Sequence, residues 1–223
     1  MDSVRLSLSV AFASTLLSLP FAVAVAWYLE RSRHALRHVV QGLVWLPLVL
    51  PPVVTGYLLL TAFSPRGVVG QTLASIGLPI AFHWLGAVLA AAVVGFPLFV
   101  MMIALAMQAV DPRLERLSQS LGRSPWQTFW RITLPLAWPG MLSGAALAFA
   151  RALGEFGATI VLAGRIPGET ETIPLRIHAE LDAPGGEQRI VGLVVASIAL
   201  CLLAVVASRL LDRWYRRRLE LDR

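Results

Sequence analysis

The chain has 223 residues, of which 57% are hydrophobic and only 14% charged, and a mean hydropathy of +0.71. That balance excludes a water-soluble enzyme or binding module and makes the bilayer the solvent. The net charge of +6 comes from nineteen basic residues, all arginine and gathered at the edges of apolar runs; topology and anionic headgroups explain that placement, and nucleic acid is not needed as a partner.

A helix crosses the hydrocarbon layer in about 20 apolar residues, and five stretches are predicted to do so. The first, Leu6 to Leu29, is uncharged. Its Ala22, Ala24 and Ala26 mimic a signal-peptidase site, but the run is long, only Arg5 precedes it against Asp2, and the arginine cluster follows it, so it reads as a retained helix. The second, Val39 to Phe63, has Gln41 as its strongly polar side chain and carries Pro47, Pro51 and Pro52. Each proline removes a backbone donor and bends or unwinds its helix, which marks Leu46 to Pro52 as a pore-lining element near a gate. The third, Trp84 to Met107, contains Pro97, read as a static kink. The fourth, Leu136 to Leu162, contains Arg151 and Glu155, four residues apart, and the small-residue ladder Gly140, Gly144 and Ala148. The ladder permits close packing on a neighbouring helix, with a dimer axis as one place for it. The fifth, Ile190 to Ser208, holds the single cysteine, Cys201, as a packing residue. The runs are continuous and much longer than membrane strands, so the fold is all-α and polytopic.

Two readings of Arg151 and Glu155 stand together. They form a neutralised pair that holds the bundle, or they line a pathway for an anion, where Glu155 would cancel much of the arginine's field.

Arginine placement sets the orientation. Arg31, Arg33 and Arg37 follow the first span, Arg113, Arg116, Arg123 and Arg131 the third, and Arg209, Arg213, Arg216, Arg217, Arg218 and Arg223 the last. Placing these thirteen inside leaves Arg5, Arg66, Arg165, Arg176 and Arg189 outside, so the predicted topology is N-terminus out, C-terminus in.

Between the third and fourth spans lies a polar hairpin, Asp111 to Pro135. Asp111 with Pro112 opens a helix predicted to stop near Gly122, and Ser124, Pro125 and Gln127 form a capping box that starts another. Leu114, Leu117, Ser118 and Leu121 share one helical face, and Trp126, Phe129 and Trp130 form an aromatic cluster. The same composition suits an amphipathic hairpin lying on headgroups. No catalytic constellation or metal cluster is visible, His34 and His38 reading as solvated, and no glycine-rich phosphate loop allows this chain to hydrolyse ATP itself.

Glu115, Leu117, Ser118 and Gly122, followed after nine residues by Ile132 and then by Leu134 and Pro135, resemble the EAA loop of ABC importer permeases, with leucine and serine where that motif has two alanines. The resemblance implies a type I importer permease domain over residues 1–223, with a coupling loop at 111–135. It assigns Glu115, Leu117, Ser118 and Gly122 to contact with a cytoplasmic ATPase. Three further strings, LPLVLPPVVTGYLLL (46–60), RALGEFGATIVLAGRIPGETETIP (151–174) and PGGE (184–187), resemble the molybdate permease branch. Sulfate and thiosulfate permeases are its near relatives; the PGET outer loop favours molybdate, and tungstate is not separated from it. The resemblance further implies a multi-pass protein of a prokaryotic cytoplasmic membrane, a second copy of the chain, two ATP-binding subunits that use the ATP, no cofactor on this chain, and an extracytoplasmic molybdate-binding protein. That protein would be received by loops 64–83 and 164–189, which otherwise read as ordinary solvated loops. A secondary carrier or membrane scaffold is the alternative of another class, disfavoured because five spans without a repeat cannot form an inverted pair.

Overall fold

The structure, a computed structural model, describes residues 2–32 and 34–221, with side chains described as far as Leu210. Arg33 and Arg223 of the arginine clusters lie outside the described residues, as do the side chains of Arg213, Arg216, Arg217 and Arg218.

Helix α1, Asp2–Arg31, buries a face of small residues, including Ser7, Ala11, Ser14, Ser18, Ala22 and Ala26. Ser14 and Ser18 donate to Ala11 O and Ser14 O, so their hydroxyls are satisfied within the helix. The predicted second span is two helices, α2 (Leu36–Val49) and α3 (Pro52–Phe63), bent by 115°. Leu50 is extended with ψ 142° and Pro51 follows with ψ 135°. Neither Pro51 nor Pro52 has an N–H to continue the ladder, so α2 stops and Pro52 starts α3 at the one helical position where proline is welcome. Helix α4 (Val68–Ser75) sits in the following loop, and α5 (Trp84–Gln108), opened by His83 Nδ1 accepting from Leu85 N, contains Pro97 without a break in the helix.

Helices α6 (Pro112–Ser120) and α7 (Pro125–Thr128) form the hairpin, and α7 runs through a π turn (Phe129–Thr133) into α8 (Leu134–Leu153). The predicted fourth span is therefore also divided: α8 stops at Leu153, and α9 (Gly157–Leu162) begins after Gly154, Glu155 and Phe156. Helix α10 (Ile173–Leu181) and the long α11 (Gly186–Leu221) complete the chain. Helices α1, α5, α11 and the α7–α8 path are each long and apolar enough to cross a membrane, and the bent α2–α3 pair makes a fifth if it counts as one span.

Helix α5 is the centre. Phe99, Val100, Ile103 and Met107 pack against Ala22 and Ala26 of α1 and Ala137, Met141 and Ala148 of α8. Lipid is as apolar as leucine, so burial adds little drive between these helices and close van der Waals contact must hold them. Small residues provide it. A Cβ on Gly140 would lie 2.5 Å from Ala106 Cβ, and one on Gly144 2.9 Å from Met102 Cβ. The ladder Gly140, Gly144 and Ala148 is thus spent on α5 of the same chain and not on a dimer axis. The large exposed side chains, among them Phe12, Phe21, Leu43, Val53, Tyr57, Val195 and Leu202, lie on the outer faces, where a bilayer or another membrane helix is their solvent.

Gly144→Leu should destabilise the fold by about 1–3 kcal/mol through overpacking and lower the Tm in detergent. Gly42→Leu, at an exposed position of α2 where a Cβ meets nothing within 4 Å, should leave it unchanged; equal losses would refute the packing argument.

Candidate coupling elbow and membrane path

Three local devices fold the hairpin. Asp111 accepts from Arg113 N at 2.8 Å and caps α6. At the other end Gly122, with φ +85°, closes a Schellman turn in which Gly122 N donates to Gln119 O and Arg123 N to Ser118 O. Ser124 and Gln127 then exchange the two bonds of the capping box, at 3.1 and 3.2 Å. The polar part ends at Leu134-Pro135 without a break in the helix. Pro135 lacks an N–H and its ring would press on the carbonyl four residues back; the wide turn, in which Leu134 N reaches Phe129 O, relieves that clash and lets the helix continue.

The short α6 has two distinct faces. Leu114, Leu117 and Leu121 are 44%, 59% and 74% exposed, whereas Glu115 and Ser118 are only 5% and 4% exposed. Glu115 Oε1 accepts from Thr133 Oγ1 at 2.6 Å and from the Arg31 guanidinium, and Ser118 Oγ shares a 3.0 Å bond with Thr128 Oγ1. These contacts tie α6 to the end of α1 and to the root of α8. Burial pushes the Glu115 carboxyl up, but the hydrogen bonds from Arg31 and Thr133 and the charge of Arg31 outweigh it and hold the group below the usual carboxylate range. Around this link Trp27 of α1 meets Trp126 at 5.6 Å and Phe129 at 5.3 Å, and Trp130 packs on both.

Of the residues assigned to the motif, Leu117 and Gly122 are therefore on the outer surface, Glu115 and Ser118 face the chain's own helices, and Ile132 and Leu134 are half-buried at the root with Pro135 exposed. Arg31, Trp27, Thr128 and Thr133 complete the site. Sequence reading missed them as partners, since Arg31 is 84 residues from Glu115 and carried only a topological signal.

The membrane-embedded candidates divide similarly. Pro52 lies against Gly157, two residues after Glu155: a Cβ on Gly157 would lie 2.8 Å from Pro52 Cβ, and one on Gly56 2.8 Å from Ala158 Cα and O. The two helix breaks thus face each other across a backbone contact of α3 with α9. Glu155 is not on the helix of Arg151 but in the break, 3% exposed, pairing with Arg151 Nη1 at 2.8 Å and accepting from Ala158 N at 2.9 Å. It is a neutralised pair that also caps α9. Pro51 sits in the adjacent bend, whereas Pro47 borders a separate apolar cavity of about 680 Å³ with Leu17, Phe21, Val88 and Phe96. Thr55 Oγ1, beside Gly56, is buried with no protein partner.

The loop from Gly164 to Arg189 is not an ordinary solvated loop. Thr170, Glu171, Thr172 and Ile173 are buried, and Ile173 N donates to Ser7 Oγ of α1 at 2.7 Å. Arg165 and Arg176 hold Glu171 at 3.4 and 3.2 Å, and Arg176 and Arg189 hold Glu180 at 3.1 and 2.7 Å. The Arg189 bond, with that from Arg176, outweighs burial and keeps the Glu180 carboxyl below its ordinary range. His83 Nε2 adds a contact to Glu169 at 3.6 Å, joining the 64–83 and 164–189 loops.

Residues 7–217 match the family described as binding-protein-dependent transport system inner membrane component. The molybdenum transport system permease protein ModB of Haemophilus influenzae is 47% identical over 220 residues, 98% of this chain and 94% of that protein. The probable sulfate transport system permease protein cysT of Chlorokybus atmophyticus is 36% identical over 200 residues, 88% of this chain and 69% of that protein. Among solved structures, the MetNI methionine ABC transporter in inward facing conformations superposes with a TM-score of 0.75 at 18% identity, covering 96% of this chain and 94% of the other.

Because the folded pKa of Glu115 is depressed, its link is complete above the ordinary carboxylate value of about 4.3 and is lost as pH falls through the lower folded value. Acidification below about pH 4 should therefore shift the tryptophan emission as Trp27 and Trp126 separate. In Glu115→Gln the emission should be shifted already at neutral pH and the acid step absent. An acid step of equal size in the variant would assign the transition to other carboxylates.

Proposed function

As this chain belongs to the family of binding-protein-dependent transport system inner membrane components, we propose that it is the permease subunit of an ATP-driven molybdate importer, coupled to a separate ATPase through α6. One observation carries the coupling: the leucine face of α6 points outward while its polar face is bonded to α1 and to α7 and the π turn that lead into α8. A partner that grips the leucines moves two membrane helices with it. In this reading Leu117 and Gly122 meet the ATPase, and Glu115 and Ser118 are positioning residues that transmit the displacement. Hydrogen bonds to charged groups contribute about 1.5–3 kcal/mol when buried, less where a partner such as Arg31 is half-exposed, enough to move the elbow as a unit with its helices.

The working assembly is two copies of this chain, two ATP-binding subunits on the inner side and a binding protein delivering molybdate to the outer loops, with the N-terminus outside and the C-terminus inside. The chain contributes no ATPase site and no cofactor. The α3–α9 contact, flanked by Pro51, Pro52, Arg151 and Glu155, is the gate candidate. Identity to ModB proteins over nearly the whole chain supports molybdate as the substrate. The sulfate permease relative keeps sulfate or thiosulfate as the second reading, and tungstate is a near-isostere.

In vesicles carrying the reconstituted complex, ATP-driven uptake of labelled molybdate should exceed that of sulfate; a sulfate preference would overturn the substrate and leave the coupling. Gly122→Val places a β-branched side chain at φ +85°, a strain of about 1–2 kcal/mol, and should leave ATP hydrolysis running while uptake falls. Unaltered coupling would exclude this turn from the transmission.

A further inference from the structure

Where α1 and α11 begin, α10 closes a cavity of about 370 Å³ bordered by Val4, Arg176, Glu180, Arg189, Gly192 and Leu193. Its chemistry is two-sided. On one wall Arg176 and Arg189 share Glu180, and behind that wall Arg176 and Arg165 hold Glu171, so three guanidiniums face two carboxylates and one positive charge is left over. The carboxylates are nearly buried and the arginines about half-exposed, so the surplus lies at the rim. All four carboxylate oxygens are occupied, by Arg165 Nη1, Arg176 Nη1, Arg176 Nε and Arg189 Nε. Arg189 Nη2 makes a 3.4 Å bond to Pro184 O. Among the described residues Arg176 Nη2 and Arg189 Nη1 have no protein acceptor.

The rest of the lining is apolar apart from Ser3 and Gln188. Val4 and Leu193 belong to the two helices that continue into the hydrocarbon, and Val4 also borders an adjoining open hollow with Leu8, Asp2 and Arg5, whose opposite charges add nothing net to the surplus. Gly192 keeps the α11 side of the cavity open.

We propose that this cavity binds the headgroup of an anionic phospholipid, its phosphodiester held by Arg176 and Arg189 and its acyl chains lying along Val4, Leu8 and Leu193. A guanidinium fork matches a phosphate bidentately, and one surplus charge matches the single charge of a phosphodiester. A free dianion would leave a charge uncompensated and would lose hydration against the Val4 and Leu193 side of the cavity. The bound lipid fastens α10 and the buried 170–173 segment to the start of α11, independently of what the protein transports.

The test is native mass spectrometry of the full chain in detergent, supplied with equal amounts of phosphatidylglycerol and phosphatidylcholine. The wild type should retain phosphatidylglycerol over phosphatidylcholine by about tenfold, the factor that one charge-assisted contact of about 1.4 kcal/mol represents. Arg189→Gln should abolish that preference. So should Gly192→Leu, which fills the cavity without touching the ion pairs and without a steric cost, its Cβ meeting nothing within 4 Å. Arg66→Gln, which removes an exposed arginine in another loop, should keep the preference, and inorganic phosphate or molybdate should not displace the lipid. Equal retention of the two lipids, or an undiminished preference in Gly192→Leu, would overturn the proposal. Displacement by inorganic phosphate or molybdate would overturn it in favour of a free-oxyanion site.

Discussion

A chain surrounded by hydrocarbon has no water to satisfy an unpaired amide or carbonyl, so every interruption of a membrane helix must be covered by protein or open onto an aqueous cavity. This chain interrupts two helices, at Leu50–Pro51 and at Gly154–Phe156, and places the two interruptions together. Gly56 and Gly157 allow α3 and α9 to approach until backbone meets backbone, and Glu155 satisfies the exposed start of α9 while Arg151 neutralises its charge. Everything else is arranged around that requirement: α5 carries the intact core, and α1 and the body of α8 pack against it through small residues.

The elbow follows the opposite logic. Its breaks lie in a polar segment outside the apolar spans, where water can serve exposed groups, so turn chemistry there is free to be sharp. The aspartate cap, the Schellman glycine and the capping box fix the hairpin by local bonds alone. Attachment to the bundle then depends on a few side chains, Glu115 above all. An aliphatic face left in water on a helix so short has no packing role within this chain, which is why its orientation bears on function.

How far the fold was legible depended on range. The α1, α5 and α11 spans follow from uninterrupted apolar length, and the hairpin caps from residues at most three apart, because both are local properties. Prolines announced the α2–α3 break but not its 115° turn, since a missing donor says where a ladder stops and not where the chain goes next. Arg151 and Glu155 were read on one helix because their spacing allows it; the break between them is set by α3, about a hundred residues away. The leucine face of α6 was visible, yet Ser118 was grouped with it. Its hydroxyl is drawn inward by Thr128, and Glu115 by Arg31, partners that no periodicity exposes.

The π turn makes the path from Pro125 to Leu153 continuous over 29 residues, and that continuity has a geometrical consequence. From the turn to Gly154, the 20 residues of α8 span about 30 Å at 1.5 Å per residue. A tilt of about ten degrees at the root would carry the far end sideways by about 5 Å, roughly the width of one helical turn. Arg151 and the Glu155 break sit at that far end. The helix is a long pointer on a short pivot, so small angular strokes at the elbow become side-chain-sized displacements beside α9.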